Sequence, residues 1–197
     1  MPAEIFGEKY EFLPRPHILT FEEIERLTRL FVAAGVSKIR VTGGEPLVRA
    51  DLPELIAKLS SIDGVDDLTL TTNGYLLAQH AAALKDAGLG RLTISLDSLD
   101  EDIFKKMSGR PQSPEKTLEG IKVASDLGFS PIKINVVVQR GMNEHTLVDT
   151  ARYFRGTGAI VRFIEFMDVG TKNGWELSKV VSSAEILDLI AAEFPVE

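Results

Sequence analysis

The feature that most constrains the fold is a run of five strand-then-helix units along the 197 residues of the chain. Each predicted strand is short and apolar at alternate positions, and each is followed by residues with helical spacing. The strands are predicted at 38–42, 68–72, 91–96, 132–138 and 161–164. Repeated units of this kind place the strands parallel, with helical crossovers between them. Two folds fit, a TIM-like (βα) barrel and a doubly wound sheet.

Local signals predict where the helices begin. Two capping boxes are expected, Thr20 with Glu23 and Ser182 with Glu185. Single capping residues are expected at Asp51 and Asn143, and the acids from Asp100 to Asp102 suit the first turn of a helix. Residues 1–18 contain three prolines and are predicted to be an extended lead-in, and Asp168 to Gly174 a polar loop.

Side-chain parity favours the barrel. Strands of a doubly wound sheet are buried on both faces and read as nearly continuous apolar runs. Here every strand alternates, so that Ile39 and Val41 share one face while Lys38 and Arg40 share the other. The polar positions include Lys38, Arg40, Thr71, Ser95, Lys133, Asn135 and Arg162. If this face points inward, its four cations need an anionic ligand, since unpaired buried charges cost several kcal/mol each. Polar strand ends that simply face water are the alternative.

The length limits how much of a barrel can form. A full eight-stranded barrel takes about 250 residues, so five units predict one that is partial and open along one side. The predicted fold class is therefore α/β, a partial, open TIM-like (βα) barrel of parallel strands with outer helices. We expect one domain over residues 1–197, with its open edge strand covered by a further element.

Composition excludes several function classes. A net charge of −7 argues against nucleic-acid binding, and no apolar run reaches the roughly eighteen residues of a membrane span, so we expect a cytoplasmic protein. With no cysteine, this chain alone supplies no disulfide, thiolate nucleophile or iron–sulfur ligand. His17, His80 and His145 lack ligand spacing, so no metal site is predicted. Nucleotide-binding glycine fingerprints and phosphate loops are also absent.

The most distinctive motif is Thr42-Gly43-Gly44-Glu45-Pro46, directly after the first predicted strand. Glycines allow the backbone to approach a ligand closely, and Pro46 fixes where the chain turns. A tight turn without a ligand fits the same residues. Two strand-end residues are weaker candidates: Asp97 is a lone carboxylate, and Met167 suits either the core or a ligand contact.

Taken together, the motifs resemble the radical S-adenosylmethionine GTP 3′,8-cyclases, the MoaA family of molybdenum cofactor biosynthesis. The matching blocks are Lys38 to Leu47 with Arg49, Leu70 to Gly74, Ser95 to Leu99, Lys133 to Asn135, and Arg162 to Met167. The Gly-Gly-Glu-Pro stretch alone indicates only the radical S-adenosylmethionine superfamily. The order of the later blocks points to the cyclase.

The resemblance implies a role for each matched position. S-adenosylmethionine would be bound by Gly43, Gly44, Glu45 and Pro46, through backbone carbonyls and the Glu45 side chain, with Ser95 and Met167 as further contacts. GTP would be held by Arg40, Thr71 and Lys133, with Lys38 and Arg162 adding charge near its triphosphate. In the family, a 5′-deoxyadenosyl radical takes hydrogen from the GTP ribose, and C3′ then joins C8 to give (8S)-3′,8-cyclo-7,8-dihydroguanosine 5′-triphosphate.

The cysteines are where the sequence departs from the family. A CxxxCxxC loop binds the first [4Fe-4S] cluster there, directly before a stretch like Met1-Pro2-Ala3, and a C-terminal region binds a second cluster. Neither is present, so the resemblance implies either a fragment or a misplaced start codon. The chain as given would lack the first strand and be inactive alone. It further implies a homodimer, and a cyclic pyranopterin monophosphate synthase acting downstream.

Two other functions stay open at this point. A lysine amine inside a barrel could form a Schiff base, as in aldolases, and Lys133 is the residue placed for it. A partial barrel without a cluster could instead be a nucleotide-binding module with no catalytic role.

Overall fold

The structure is a computed structural model that describes residues 17–168 and 174–196. Within them the strands are β1 (Lys38–Val41), β2 (Asp67–Thr72), β3 (Arg91–Ser95), β4 (Ile132–Val138) and β5 (Ile160–Glu165). The α-helices are α1 (Phe21–Ala33), α2 (Leu52–Ser60), α3 (Leu77–Asp86), α4 (Glu101–Ser108), α5 (Glu115–Asp126), α6 (Leu147–Phe154) and α7 (Ser183–Ala191). Short 3-10 turns lie at Pro46–Val48, Glu144–Thr146 and Leu177–Lys179. Most of the predicted lead-in and of the loop from Asp168 to Gly174 falls outside the described residues.

The strands form one sheet in the order β1-β2-β3-β4-β5. The pairs β1–β2, β2–β3 and β4–β5 are parallel. Sequential parallel strands with helices between them are typical of (βα) barrels, whereas a doubly wound sheet reverses its strand order at a switch point. The predicted fold class, α/β of the partial TIM-like type, is confirmed.

Two compact units make up the described chain. The first unit contains residues 17–94 and 116–132, and the second contains 95–115, 133–168 and 174–196. Leucine and isoleucine side chains from strands and helices are fully buried in the first unit, among them Ile56, Leu70, Leu77, Leu84 and Leu92. In the second unit the fully buried side chains include Leu96, Ile134, Val136 and Leu147. The single domain over residues 1–197 stays a prediction.

The predicted alternation of the strands is visible in their burial. In β4, Ile132, Ile134, Val136 and Val138 are buried, while the positions between them are partly exposed. In β1 the two cations are exposed and the two apolar residues are half-buried. The apolar faces therefore carry the core, because burial of their side chains is what favours folding.

The predicted capping boxes are both confirmed, at Thr20 and at Ser182. Asp100 also caps α4 by accepting a hydrogen bond from the Ile103 N–H. Asp51 and Asn143 also occupy N-cap positions, but neither side chain makes a capping hydrogen bond. Asp51 precedes α2 with a left-handed backbone (φ 57°) and makes no capping hydrogen bond with its side chain. Asn143 precedes a 3-10 turn that its side chain likewise does not cap, because its amide is used elsewhere.

Among the helices of residues 17–168 and 174–196, none combines the length and the apolar character that a bilayer span requires.

Candidate functional site

The glycine turn after β1 is open on one side. Gly43 and Gly44 are exposed, and no described heavy atom outside their immediate neighbours lies within 4 Å of an ideal Cβ built on either residue. Gly43 has a φ of +155°, which L residues rarely adopt, but Gly44 has no such backbone requirement. Packing within the first unit therefore does not explain Gly44. The space beside it is available for close approach by a ligand.

On the other side of this turn, the Glu45 carboxylate accepts three hydrogen bonds. One oxygen, Oε1, accepts hydrogen bonds from the Thr72 hydroxyl at 2.6 Å and from the Leu47 N–H at 3.1 Å. The second oxygen, Oε2, accepts one from the Asn73 N–H at 2.8 Å. Pro46, the next residue, is buried and begins a 3-10 turn. Glu45 thus joins the turn after β1 to the end of β2.

A second turn, residues 72–75, is held just as closely. The Gly74 N–H donates to the Thr72 hydroxyl at 3.0 Å, and the Tyr75 N–H donates to Asn73 Oδ1 at 2.9 Å. The Thr117 hydroxyl of α5 donates to the Asn73 carbonyl at 3.0 Å. Gly74 has a φ of +76°, and a Cβ there would lie 2.9 Å from Thr117 Cγ2. Packing and backbone conformation both require glycine at this position.

The first unit brings together two of the residues predicted to bind GTP. Arg40 on β1 donates a hydrogen bond from Nη1 to the Thr71 hydroxyl on β2 at 3.2 Å. This contact uses one of the five N–H donors of the guanidinium. Lys38 lies two residues before Arg40 on the same face of β1, and both cations are exposed.

In the second unit the polar face continues on β4 and β5. The parallel register pairs Asn135 with Arg162, so their side chains lie side by side, and Lys133 lies two residues before Asn135 on the same face. Arg162 is exposed and Lys133 half-buried. Asn135 Oδ1 is the only buried side-chain oxygen or nitrogen in the described part of the chain with no hydrogen-bond partner. An unpaired buried acceptor costs about 1–3 kcal/mol. Sequence reasoning placed Asn135 on this face but gave it no role.

The half-buried Asp97 and the buried Asn143 make a set of polar contacts with backbone groups in the second unit. Asp97 Oδ1 accepts a hydrogen bond from the Val137 N–H at 2.8 Å. Burial raises the pKa of Asp97 to about 6, and this hydrogen bond opposes the rise. The Asn143 amide donates to the carbonyls of Asp97 at 2.8 Å and Val137 at 2.9 Å, and its oxygen accepts from the Gln139 N–H. These three bonds are why the side chain does not cap a helix.

The other predicted cofactor contacts lie at strand ends of the second unit. Ser95 ends β3 and is exposed, and Met167, two residues after β5, is 55% exposed. The predicted convergence of the cations of both units on a common interior stays a prediction. The described residues include no group of three or more His, Asp or Glu side chains that could hold a metal ion.

Sequence comparisons give relatives along the whole chain. It is 50% identical over 197 residues to the GTP 3′,8-cyclase of Staphylococcus carnosus, covering 100% of this chain and 58% of that protein. It is also 50% identical over 197 residues to the GTP 3′,8-cyclase of Acidothermus cellulolyticus, where it covers 54% of the relative. The chain therefore spans somewhat more than half the length of the curated relatives it matches.

Solved structures share the fold at low sequence identity. Methylornithine synthase (PylB) has a TM-score of 0.70 at 16% identity, over 96% of this chain and 57% of that one. A radical SAM methyltransferase from Sphaerobacter thermophilus has a TM-score of 0.64 at 16% identity, over 87% of this chain and 53% of that one.

Sequential parallel strands, helices between them and an open glycine turn after β1 define this protein as a TIM-like α/β protein with a candidate ligand site at that turn. The model of the radical SAM superfamily matches residues 5–154. The chain belongs to that superfamily. The expected cofactors of the family, S-adenosylmethionine and [4Fe-4S] clusters, agree with this membership, although the sequence has no cysteine to ligate a cluster.

Proposed function

We propose that the chain is the central part of a GTP 3′,8-cyclase and carries positions that bind S-adenosylmethionine and GTP. The observation that carries this proposal is 50% identity along all 197 residues to proteins with that name. A likeness spread over the whole chain favours the specific activity over superfamily membership alone. The reaction would convert GTP to (8S)-3′,8-cyclo-7,8-dihydroguanosine 5′-triphosphate.

The glycine turn suits the amino-acid end of S-adenosylmethionine. The open space beside Gly43 and Gly44 would let backbone carbonyls accept hydrogen bonds from the methionine ammonium. Glu45 and Pro46 complete this cofactor segment, and Ser95 and Met167 are the further contacts that the family resemblance implies. When bound, S-adenosylmethionine supplies the radical chemistry of the family, and the residues of this chain bind and orient it.

The cationic strand positions suit the triphosphate of GTP. Arg40 is held at one nitrogen by Thr71 and keeps its other donors for phosphate oxygens. Lys38 and Lys133 would add compact charges, and Arg162 a second forked donor set. Thr71 would act beside Arg40 as an orienting hydroxyl. Several cations favour a triphosphate over a monophosphate because each added phosphate brings further charge.

The chain does not itself fit a [4Fe-4S] cluster. Such clusters are held by cysteine thiolates, and the sequence contains none. We therefore propose that the chain alone binds its ligands without turnover. A cytoplasmic location, a homodimer and a cyclic pyranopterin monophosphate synthase downstream complete the proposal.

Calorimetry with GTP and with S-adenosylmethionine tests the binding. Arg40→Ala is expected to weaken GTP binding by about 1.5–3 kcal/mol, the range for a lost charged hydrogen bond. Arg152→Ala is the matched control, because it removes an arginine whose partners are Asp149 and Glu193 on the surface. Wild-type protein that binds neither ligand would refute the proposal. A longer version with the two cysteine regions of the family should form cyclised GTP with a reductant.

The alternative functions are not favoured by the comparisons. Borohydride trapping of a carbonyl substrate on Lys133 would support the Schiff-base reading. Saturable GTP binding by a cysteine-bearing longer version that never cyclises GTP would support a non-catalytic module.

A further inference from the structure

We infer that Thr72 and Glu45 are positioning residues that hold the glycine turn in its ligand-binding conformation from the side away from the ligand. The device is a latch made of the Glu45 carboxylate, the Thr72 hydroxyl and the Asn73 N–H. The ligand assigned to the turn rests on the proposed function. The latch itself rests only on contacts within the first unit.

Strand parity sets the direction of the latch. Thr71 of β2 lies on the polar face of the sheet, where it accepts a hydrogen bond from Arg40 of β1, and Thr72, the next residue, points to the opposite face. Thr72 is 3% exposed, and its hydroxyl lies 2.6 Å from Glu45 Oε1. The carboxylate is therefore drawn toward the buried side of the sheet. Glu45 would influence a ligand mainly through the backbone of its own turn.

The hydrogen bonds of the latch are strong and leave little freedom. A carboxylate that accepts from a hydroxyl at 2.6 Å forms a charge-assisted bond, about twice as strong as a neutral one. The same carboxylate accepts the Leu47 N–H within its own turn and the Asn73 N–H across the strands. One side chain thus fixes the conformation of the turn and its distance from β2.

The Thr72 hydroxyl both donates and accepts a hydrogen bond. It donates to Glu45 and accepts the Gly74 N–H at 3.0 Å, so the latch continues into the next turn. Thr117 of α5 then donates to the Asn73 carbonyl and ties that turn to a helix. Valine has the same shape as threonine but could make neither hydroxyl bond, which explains a polar residue on an otherwise apolar face.

The test compares Thr72→Val with Thr72→Ser, which keeps the hydroxyl. Thr28→Val is the matched control, because Thr28 is also buried in the first unit but donates to the Ile24 carbonyl within α1. Two quantities are measured on the 197-residue chain, the amide exchange rates of Leu47 and Asn73 by NMR and the Kd for S-adenosylmethionine by calorimetry. A turn that occupies its binding conformation one-tenth of the time would raise the apparent Kd about tenfold.

We expect Thr72→Val to speed exchange at both amides and to raise this Kd about tenfold, while Thr72→Ser and Thr28→Val stay close to wild type. Unchanged exchange in Thr72→Val would overturn the latch. Faster exchange with unchanged affinity would overturn the positioning role. A wild-type chain without affinity for S-adenosylmethionine would overturn the proposed function, and the exchange rates would still decide the latch.

Discussion

Asp97 gives a prediction that needs no ligand. Its pKa is 3.8 in an unconstrained chain, but burial raises it to about 6 in the folded protein. Folding therefore favours the protonated carboxyl. The resulting stabilisation is complete below pH 3.8 and is lost as the pH rises through about 6. At neutral pH, the folded protein must hold a carboxylate in a place that disfavours its charge.

The substitution Asp97→Asn removes this charge and keeps the size of the side chain. The Asn oxygen can still accept the Val137 N–H, so the main contact survives. A shift of about two pKa units corresponds to roughly 3 kcal/mol, and partial exposure of Asp97 lowers that figure. We expect the variant to be about 1–3 kcal/mol more stable than wild type at pH 8 and equally stable near pH 3.5.

Urea unfolding, followed by tryptophan fluorescence and circular dichroism at pH values from 3.5 to 8, measures the difference in free energy of unfolding. Asp67→Asn is a control for which the change in stability should have the opposite sign, because the hydrogen-bonded ion pair with Arg91 lowers the pKa of Asp67. That variant should be less stable than wild type at neutral pH, with a difference that shrinks on acidification. A difference for Asp97→Asn that is independent of pH, or a loss of stability at pH 8, would refute the argument.

Three further predictions concern the glycines and the last helix. Gly120→Ala should cost about 1–3 kcal/mol of unfolding free energy in a denaturant titration, because a Cβ there would lie 2.8 Å from the Gly74 carbonyl oxygen. Gly44→Ala should leave that free energy unchanged but weaken S-adenosylmethionine binding in calorimetry, since only a ligand would meet the new methyl group. The Ser182 N–H is the main cause that lowers the pKa of Glu185 to about 2. Glu185→Gln should therefore destabilise α7 at neutral pH, with a deficit that fades as the pH falls from 4.5 toward 2, measured by amide exchange in α7.

Much of the fold could be predicted because its determinants are local. The alternation of apolar and polar residues gave β4 its bounds, Ile132 to Val138, without error. The capping box of Thr20 and Glu23 could be identified from two residue types three positions apart. Sequential βα units then left few topologies to consider.

The roles that could not be predicted depend on contacts distant in sequence. Asn143 has the residue type of a helix cap, but its amide donates to the carbonyl of Asp97, 46 positions away. Arg49 belongs to a motif associated with ligand binding. Its guanidinium instead donates to the Leu19 carbonyl at 2.7 Å and lies over the Phe21 ring at 4.6 Å. Residue type alone does not separate a cation that anchors the chain from one that meets a phosphate.

The contrast between Gly44 and Glu45 shows how a ligand-binding turn can be kept ordered. A turn that offers carbonyl oxygens to a ligand must be fixed by other groups, because a carbonyl held in an internal hydrogen bond is less available. Here the order comes from the Glu45 side chain, with donors on three residues, and from the following 3-10 turn, where the Arg49 N–H donates to the Pro46 carbonyl at 3.0 Å. Gly44 is then free of packing constraints, since a rigid backbone needs no side chain there to define it. Substitutions on the two sides of the turn should therefore have different effects. A change at Thr72 should first loosen the turn, whereas a change at Gly44 should lower ligand affinity without loosening it.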